Sequence, residues 1–390
     1  LLAAAASSET SRRTHFAPRA KSCIFIFMAG APSHVDLFDP KPMLAKQDGQ
    51  PMPESLLKEV RFAFIKKDSA RLLGPSFRFR QHGQCGMELS ELLPHLGGVA
   101  DDLLLVRSLR STQFNHHPGQ LLMQCGRSEF GLPSMGAWIN YGLGTESRNL
   151  PGYVVLSSGV GSSGGATLWQ SGFLPTSYAG VPFRNQGEPV LNLKNPSGLP
   201  AALQKKGIDL LGRINSSRYS EIRDPEISSR IASYELAYRM QMATPELINL
   251  GSESKQIQDL YGINRPEPKG LTSRGKSGDT FKNFARNCLL ARRMVERGVR
   301  FVNIVYASWD HHSNLAKELP YNAGCVDQPI AALISDLKQR GLLDSTIVAW
   351  GSEFGRTPLA DNGGGKNTGR DHHPFAFSML LAGGGLRGGH

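Results

Sequence analysis

No apolar run of about eighteen residues or more interrupts the 390 residues, so nothing in the chain as it stands reads as a membrane-spanning helix. Cysteine is scarce and oddly numbered. Cys23, Cys85, Cys125, Cys288 and Cys325 show no CxxC spacing, so neither a zinc knuckle nor a disulfide framework is read, and most are expected to be small buried apolar residues. Acidic residues are the minority: 33 Asp and Glu face 44 Lys and Arg, a formal charge of +11. The basic residues are scattered, without a Lys/Arg block interleaved with aromatics, so the charge reads as a solvated surface and nucleic acid is not expected as a partner. The Gly/Ser-rich stretch after Tyr153–Leu156 lacks the GKT/S ending of a P-loop and a dinucleotide fingerprint, and is expected to cover a site or cross the surface.

What the chain does have is a core of strands that end in polar clusters. Phe301–Tyr306 is a β-branched and aromatic run that stops before Asp310, His311 and His312. Thr346–Trp350 ends in Ser352-Glu353-Phe354-Gly355-Arg356, and a glycine-rich loop leads on to Arg370-Asp371-His372-His373. Cys23–Met28 reads as a central parallel strand, with His34, Asp36 and Asp39 just past its end, where Asp36 or Asp39 could equally cap a turn. Leu103–Val106 delivers Ser111, Thr112, Asn115, His116 and His117 before a helix at Pro118–Gln124. A hydroxyl at such a strand-to-helix connection is a candidate nucleophile, or else an ordinary helix cap. In open α/β sheets, sites assemble at the carboxyl ends of strands. Ligands lying past a strand rather than inside it should be removable without opening the core, so Asp310→Ala or His312→Ala is expected to cost metal and not the fold.

Helices are expected at about Glu88–Leu96, at Asp224–Leu250 behind an Asp-Pro-Glu start, at Phe281–Arg297 closed by Gly298, and at Asp327–Arg340 closed by Gly341. Residues 262–279 read as a link, and Ala376–Ala382 as a last strand. Leu1–Ala6 followed by Ser7-Ser8 resembles the end of a signal peptide, so residues 1–22 read as a leader remnant and the destination as periplasmic or extracellular. Residues 23–390 read as a single domain with a helical insertion over about 201–298. The glycine-rich ending directly after a core strand suggests further chain beyond it.

Six motifs, PSHVDLFDPKP, STQFNHHPGQ, YELAYRMQM, WDHHSN, SEFGRTP and GRDHHP, followed by LAGGGLRGG, resemble in this order the bacterial domain-of-unknown-function family 1501, a sulfatase-like family of the alkaline-phosphatase-like superfamily. The resemblance runs from about Lys21 to the last residue. It implies an α/β three-layer sandwich, with a mostly parallel central sheet and helices on both faces, and a twin-arginine export signal. It also implies one or two divalent ions, zinc, calcium or magnesium, and a Thr, Ser or formylglycine nucleophile. Thr112-Gln113-Phe114-Asn115-His116 is similar to the TxxNH segment in which the Thr attacks and the Asn holds an anionic oxygen. Asp310 and His312 resemble the Asp/His pair of one metal, His372 its third ligand, and Glu353 stands where an Asp-His pair is usual. Near Ala29 the usual first-strand Asp is absent, which leaves Asp36 or Asp39 to replace it, and Phe354 stands at a usual His. Arg356 could hold a tetrahedral anion with paired donors. Within the three His-His pairs, His116, His312 and His372 are favoured.

The function so implied is metal-dependent hydrolysis of sulfate or phosphate esters, on a small anionic ester or a sulfated or phosphorylated glycan. The alternative is a non-catalytic exported binding or structural protein with a degenerate metal site.

Overall fold

The computed structural model describes residues 15–57, 61–190, 195, 197–270, 279–361, 365 and 367–390. The leader-like start at residues 1–14 and the middle of the expected link, residues 271–278, lie outside the described residues.

Seven strands form the main sheet: β1 Ser22–Ala29, β2 Leu103–Leu109, β3 Tyr153–Ser158, β4 Val181–Phe183, β5 Phe301–Ala307, β6 Thr346–Gly351 and β7 Phe377–Gly383. Their order is β2-β7-β6-β1-β5-β3-β4. β1 runs parallel to both β5 and β6, with Ala29 opposite Ala307 and Phe27 opposite Gly351. β7 is antiparallel to β2 and β6.

Alternation along β1 explains the layers. Ile24, Ile26 and Met28 pack on one face with Val302, Ile304 and Tyr306, under helices Thr280–Glu296 and Leu315–Gln339. Phe25, Phe27 and Ala29 point the other way and meet Phe301, Val305 and Leu121, the last on helix α1, His116–Cys125. Both faces of the strand are therefore buried, as its unbroken apolar sequence requires, and each large side chain there is worth about 1.5–3 kcal/mol. The result is an α/β three-layer sandwich with a mostly parallel sheet.

Two helix assignments change. In place of a helix at Glu88–Leu96, Met87–Ser90 pairs antiparallel with Phe79–His82 through a turn whose Gly83 and Gly86 take positive φ, and only Pro94–Gly97 is helical. The helix expected from Asp327 instead starts at Leu315 and passes through Pro320 and Pro329. Burial of Leu315, Leu319, Ala323 and Val326 outweighs the roughly 3 kcal/mol that a proline costs a helix interior. In the region read as an insertion, Ala201–Ile222 pairs with Pro225–Ile248, whose start is capped by Asp224 accepting from Glu226 N at 3.0 Å. Thr280–Glu296, by contrast, is packed into the sandwich. Among the described residues no helix is long and apolar enough to cross a membrane.

The topology fixes where polar loops meet. β1, β5 and β6 end side by side, so residues 30–39, 308–314 and 352–356 leave from one edge. Since β7 is antiparallel, the segment before it arrives at that same edge, and Phe377 faces Leu109 at the end of β2.

Candidate metal centre

Four side chains from three such segments converge. Asp310 and His312 come from the loop after β5, His372 from the segment before β7, and His116 from the first residue of α1. Their ligand atoms all lie within 4.8 Å of one another. Asp310 Oδ1 is the hub, 3.1 Å from His116 Nε2, 3.0 Å from His312 Nε2 and 3.4 Å from His372 Nε2. The Nε2 atoms of His312 and His372 are 2.9 Å apart.

The opposite nitrogen of each ring faces an acceptor: His116 Nδ1 meets Glu353 Oε1 at 2.7 Å, His312 Nδ1 meets Asp361 Oδ2 at 2.6 Å, and His372 Nδ1 meets the Phe114 carbonyl at 2.5 Å. Neutral imidazoles held this way donate from Nδ1 and turn the lone pair of Nε2 toward the hub. His116 Nε2 is buried there without a well-aligned hydrogen bond, despite its proximity to Asp310. Three converging imidazole lone pairs and a carboxylate are the donor set of a transition-series divalent ion, so the residues present fit such a group.

Electrostatics follow the same arrangement. Burial opposes ionisation of Asp310, but the His116, His312 and His372 rings that face it and the Arg356 charge hold its carboxyl well below the usual range. Burial also opposes charge on His312, yet hydrogen bonds to Asp310 and Asp361 raise it to about 9. For His372 burial prevails, aided by Arg356, and lowers it. Burial opposes charge on His116 as well, but contacts with Asp310 and Glu353 raise it.

The partners within the three His-His pairs point elsewhere. His117 reaches Thr167 Oγ1 at 3.3 Å, and buried His311 meets Asn322 Nδ2 at 3.1 Å. His373 packs on Phe375.

Several expected ligands take other places. Asp36 is fully buried in an ion pair with Arg370 Nε at 2.7 Å, and Ser33 and Ser76 N also donate to it. Burial opposes its ionisation, but the Arg370 charge and these bonds lower its pKa. It is thus a strut between segments and not part of the cluster, because its carboxylate is consumed by a guanidinium. Asp36→Asn is expected to cost about 1.5–3 kcal/mol in urea denaturation while leaving metal content unchanged; a fall in metal per folded chain would return Asp36 to the ligand set. Asp39 pairs with Lys41 at 2.8 Å.

Glu353 stands one step behind the cluster. Its Oε1 accepts from Gly30 N at 2.9 Å and Gln120 Nε2 at 3.2 Å besides facing His116, and Ser352 donates to Oε2 at 2.7 Å. Arg356 likewise turns its donors mainly to the protein. It is 1% exposed, donates to the carbonyls of Gly30, Ala31 and Arg370, and its Nη2 meets Asp310 Oδ1 at 2.7 Å, so four of its five N–H groups are directed at the protein. The two-residue pairing of Gly355–Arg356 with His372–His373 sets Arg356 beside His372.

The sequence departures have physical reasons. Ala29, where a carboxylate is usual, is buried in the apolar cluster with Phe27 and Val305, and at the next residue, Gly30, φ is +106° and a Cβ would lie 2.8 Å from Asp310 N, a tight backbone crossing. Phe354 packs its ring 5.2 Å from that of His116 and 4.8 Å from that of His372, forming an apolar floor.

Thr112 and Asn115 are both exposed in the turn before α1. Asn115, not Ser111 or Thr112, is the N-cap residue, and its side chain makes no capping bond. Ser111 is buried and accepts from Gln113 N at 3.3 Å. Sequence reading missed Asp361, which orients His312, and Asp371, whose Oδ1 accepts from His372 N at 2.7 Å; Asp371 had a signal in its place beside His372, and Asp361 had none.

Residues 20–390 match a family described as a protein of unknown function (DUF1501), in agreement with the motif resemblance. A search of curated proteins gave no match. Among solved structures, alkaline phosphatase from the Antarctic bacterium TAB5 is similar at 11% identity and a TM-score of 0.35, with 94% of this chain and 92% of that chain covered. A variant of TAB5 alkaline phosphatase with magnesium in its M3 site gives 12%, 0.35 and the same coverage.

Proposed function

The chain belongs to DUF1501, a family whose description carries no activity, and from the geometry of its own site we propose that it is a metal-dependent hydrolase of phosphate or sulfate esters. The observation that carries the reading is the convergence of three Nε2 atoms on Asp310, each ring locked from behind by Glu353, Asp361 or the Phe114 carbonyl. Imidazole-rich ligation favours zinc over calcium or magnesium, which prefer oxygen donors. With Ala29 and Phe354 at the usual positions of further ligands, the reading is of one ion at this cluster.

When bound, such an ion supplies Lewis-acid polarisation of an ester's non-bridging oxygen. The chain's own residues supply the rest. Asp310 neutralises Arg356 while it offers an oxygen to the cluster. Thr112, exposed two residues before Phe114, is the proposed nucleophile, and the amide of Asn115 the proposed donor to a developing anionic oxygen. The first turn of α1 carries no acidic side chain, so the positive end of its dipole is left to an incoming anion. Export is kept in the proposal on the leader-like Leu1–Ser8 alone.

Metal removal tests the whole reading. Dialysed protein is expected to retain zinc by elemental analysis, to lose it to a strong chelator, and to lose and regain hydrolysis of 4-nitrophenyl phosphate or 4-nitrophenyl sulfate in step. Protein that holds no divalent ion would sink the metal centre. Protein that holds one and cleaves neither ester would leave a binding protein and sink the hydrolase.

A further inference from the structure

Phe64 is 65% exposed, yet its backbone is firmly placed. Phe64 N and Ile65 N donate to Asp371 Oδ2 at 2.7 and 3.0 Å, and the other oxygen of Asp371 accepts from His372 N. One buried carboxylate thus ties this segment to a residue of the metal cluster. The Phe64 ring lies 5.4 Å from the His312 ring and 5.6 Å from the His372 ring, at 82° and 76° to them. Arg61, from the same segment, sets its guanidinium 5.3 Å from the centre of the Phe114 ring, and the Phe114 carbonyl is the acceptor for His372 Nδ1.

A single exposed phenylalanine is ordinary. One anchored by two backbone hydrogen bonds, touching two candidate ligand imidazoles and still leaving most of its ring in solvent, is a surface built beside the place where an ester would react. The ring has no donor or acceptor for an anion. What it recognises is another apolar ring face.

We propose that Phe64 is a specificity-determining residue, a platform for a ring in the alcohol part of the ester while the anionic part sits at the metal cluster. The inference rests on the hydrolase reading for the position of the anion, and on Phe64 alone for the ring. The substrate class it names is a ring-bearing phosphate or sulfate ester, with an aryl group or the C–H face of a sugar against Phe64.

Calorimetric titration of the zinc-loaded full chain with methylphosphonate, cyclohexylphosphonate and phenylphosphonate, none of which it can hydrolyse, tests this without turnover. The ring-bearing ligands are expected to bind roughly three- to tenfold tighter than methylphosphonate, the range of an aromatic contact. Phe64→Ala is expected to erase that preference with zinc content and methylphosphonate affinity unchanged, and Phe64→Trp to keep it. Preference for phenyl alone identifies an aryl group, and equal preference for both rings a saturated ring such as a sugar. Methylphosphonate binding without any ring preference, or a preference that survives in Phe64→Ala, overturns the platform and leaves the hydrolase standing. Loss of zinc in Phe64→Ala would make the ring a cover for His312 and His372, which also overturns it. If zinc is held and no phosphonate binds, the phosphate-ester reading falls and the platform for a ring-bearing phosphate ester with it.

Discussion

An Asp310→Ala variant is expected to lose its metal and a large part of its stability together, about 3–5 kcal/mol in urea denaturation. Both losses come from one oxygen. Asp310 Oδ1 faces three imidazoles and also meets Arg356 Nη2 at 2.7 Å. Without it, a guanidinium that is almost wholly buried keeps only carbonyl partners and no counter-charge. The sequence leads one to expect that a ligand past a strand end can be removed at no cost to the fold; the contacts of Asp310 argue for a cost there, and those of His312 do not. His312→Ala removes a side chain at the partly open side of the cluster and should lower metal content while the unfolding midpoint moves little. A companion variant separates the two roles: Asp310→Ala with Arg356→Met removes both charges, and should recover stability without recovering metal. Unchanged metal content in Asp310→Ala, or an unchanged unfolding midpoint, would contradict the placement of this carboxylate.

Much of the framework was legible because it rests on local pattern. The unbroken apolar run of β1 and the β-branched run of β5 could be read as buried strands, and Asp310, His312 and His372 follow from polar residues at strand ends. Choosing His116, His312 and His372 over their neighbours was a matter of sequence resemblance, and the structure sets those three around one oxygen. What could not be read is the difference between a residue that faces the centre and one that holds it. Asp36, Glu353 and Arg356 have the chemistry of ligands or clamps, but Arg370, His116 and Asp310 claim them through contacts between segments distant in the sequence. Those contacts depend on the crossing of Gly30 over Trp309 and Asp310 and on the close seat of Gly119 against Glu353 and Phe354, neither of which has a local signature. Phe64 was hidden for the same reason: it lies in a stretch of proline, glycine and mixed charge, and Asp371, distant in the sequence, anchors its backbone.

Thr112→Ala is expected to lower kcat for an aryl phosphate or sulfate ester by a factor of about 10³ or more, since it deletes the atom that would form the covalent bond. The competing role for this hydroxyl, capping the following helix, is set aside by the structure, because α1 begins at His116 with Asn115 as its cap residue. The change in stability should therefore stay within about 0.5 kcal/mol, as for other exposed side chains. Metal content should not move, since His116, Asp310, His312 and His372 make up the cluster. Thr112→Ser keeps a hydroxyl at the same turn and should retain part of the turnover. Ser111 is a weak substitute, being buried and engaged with Gln113 N. Full activity in the alanine variant would remove Thr112 from the chemistry and make water the attacking group, with Asn115 left as the only member of this turn in contact with the ester.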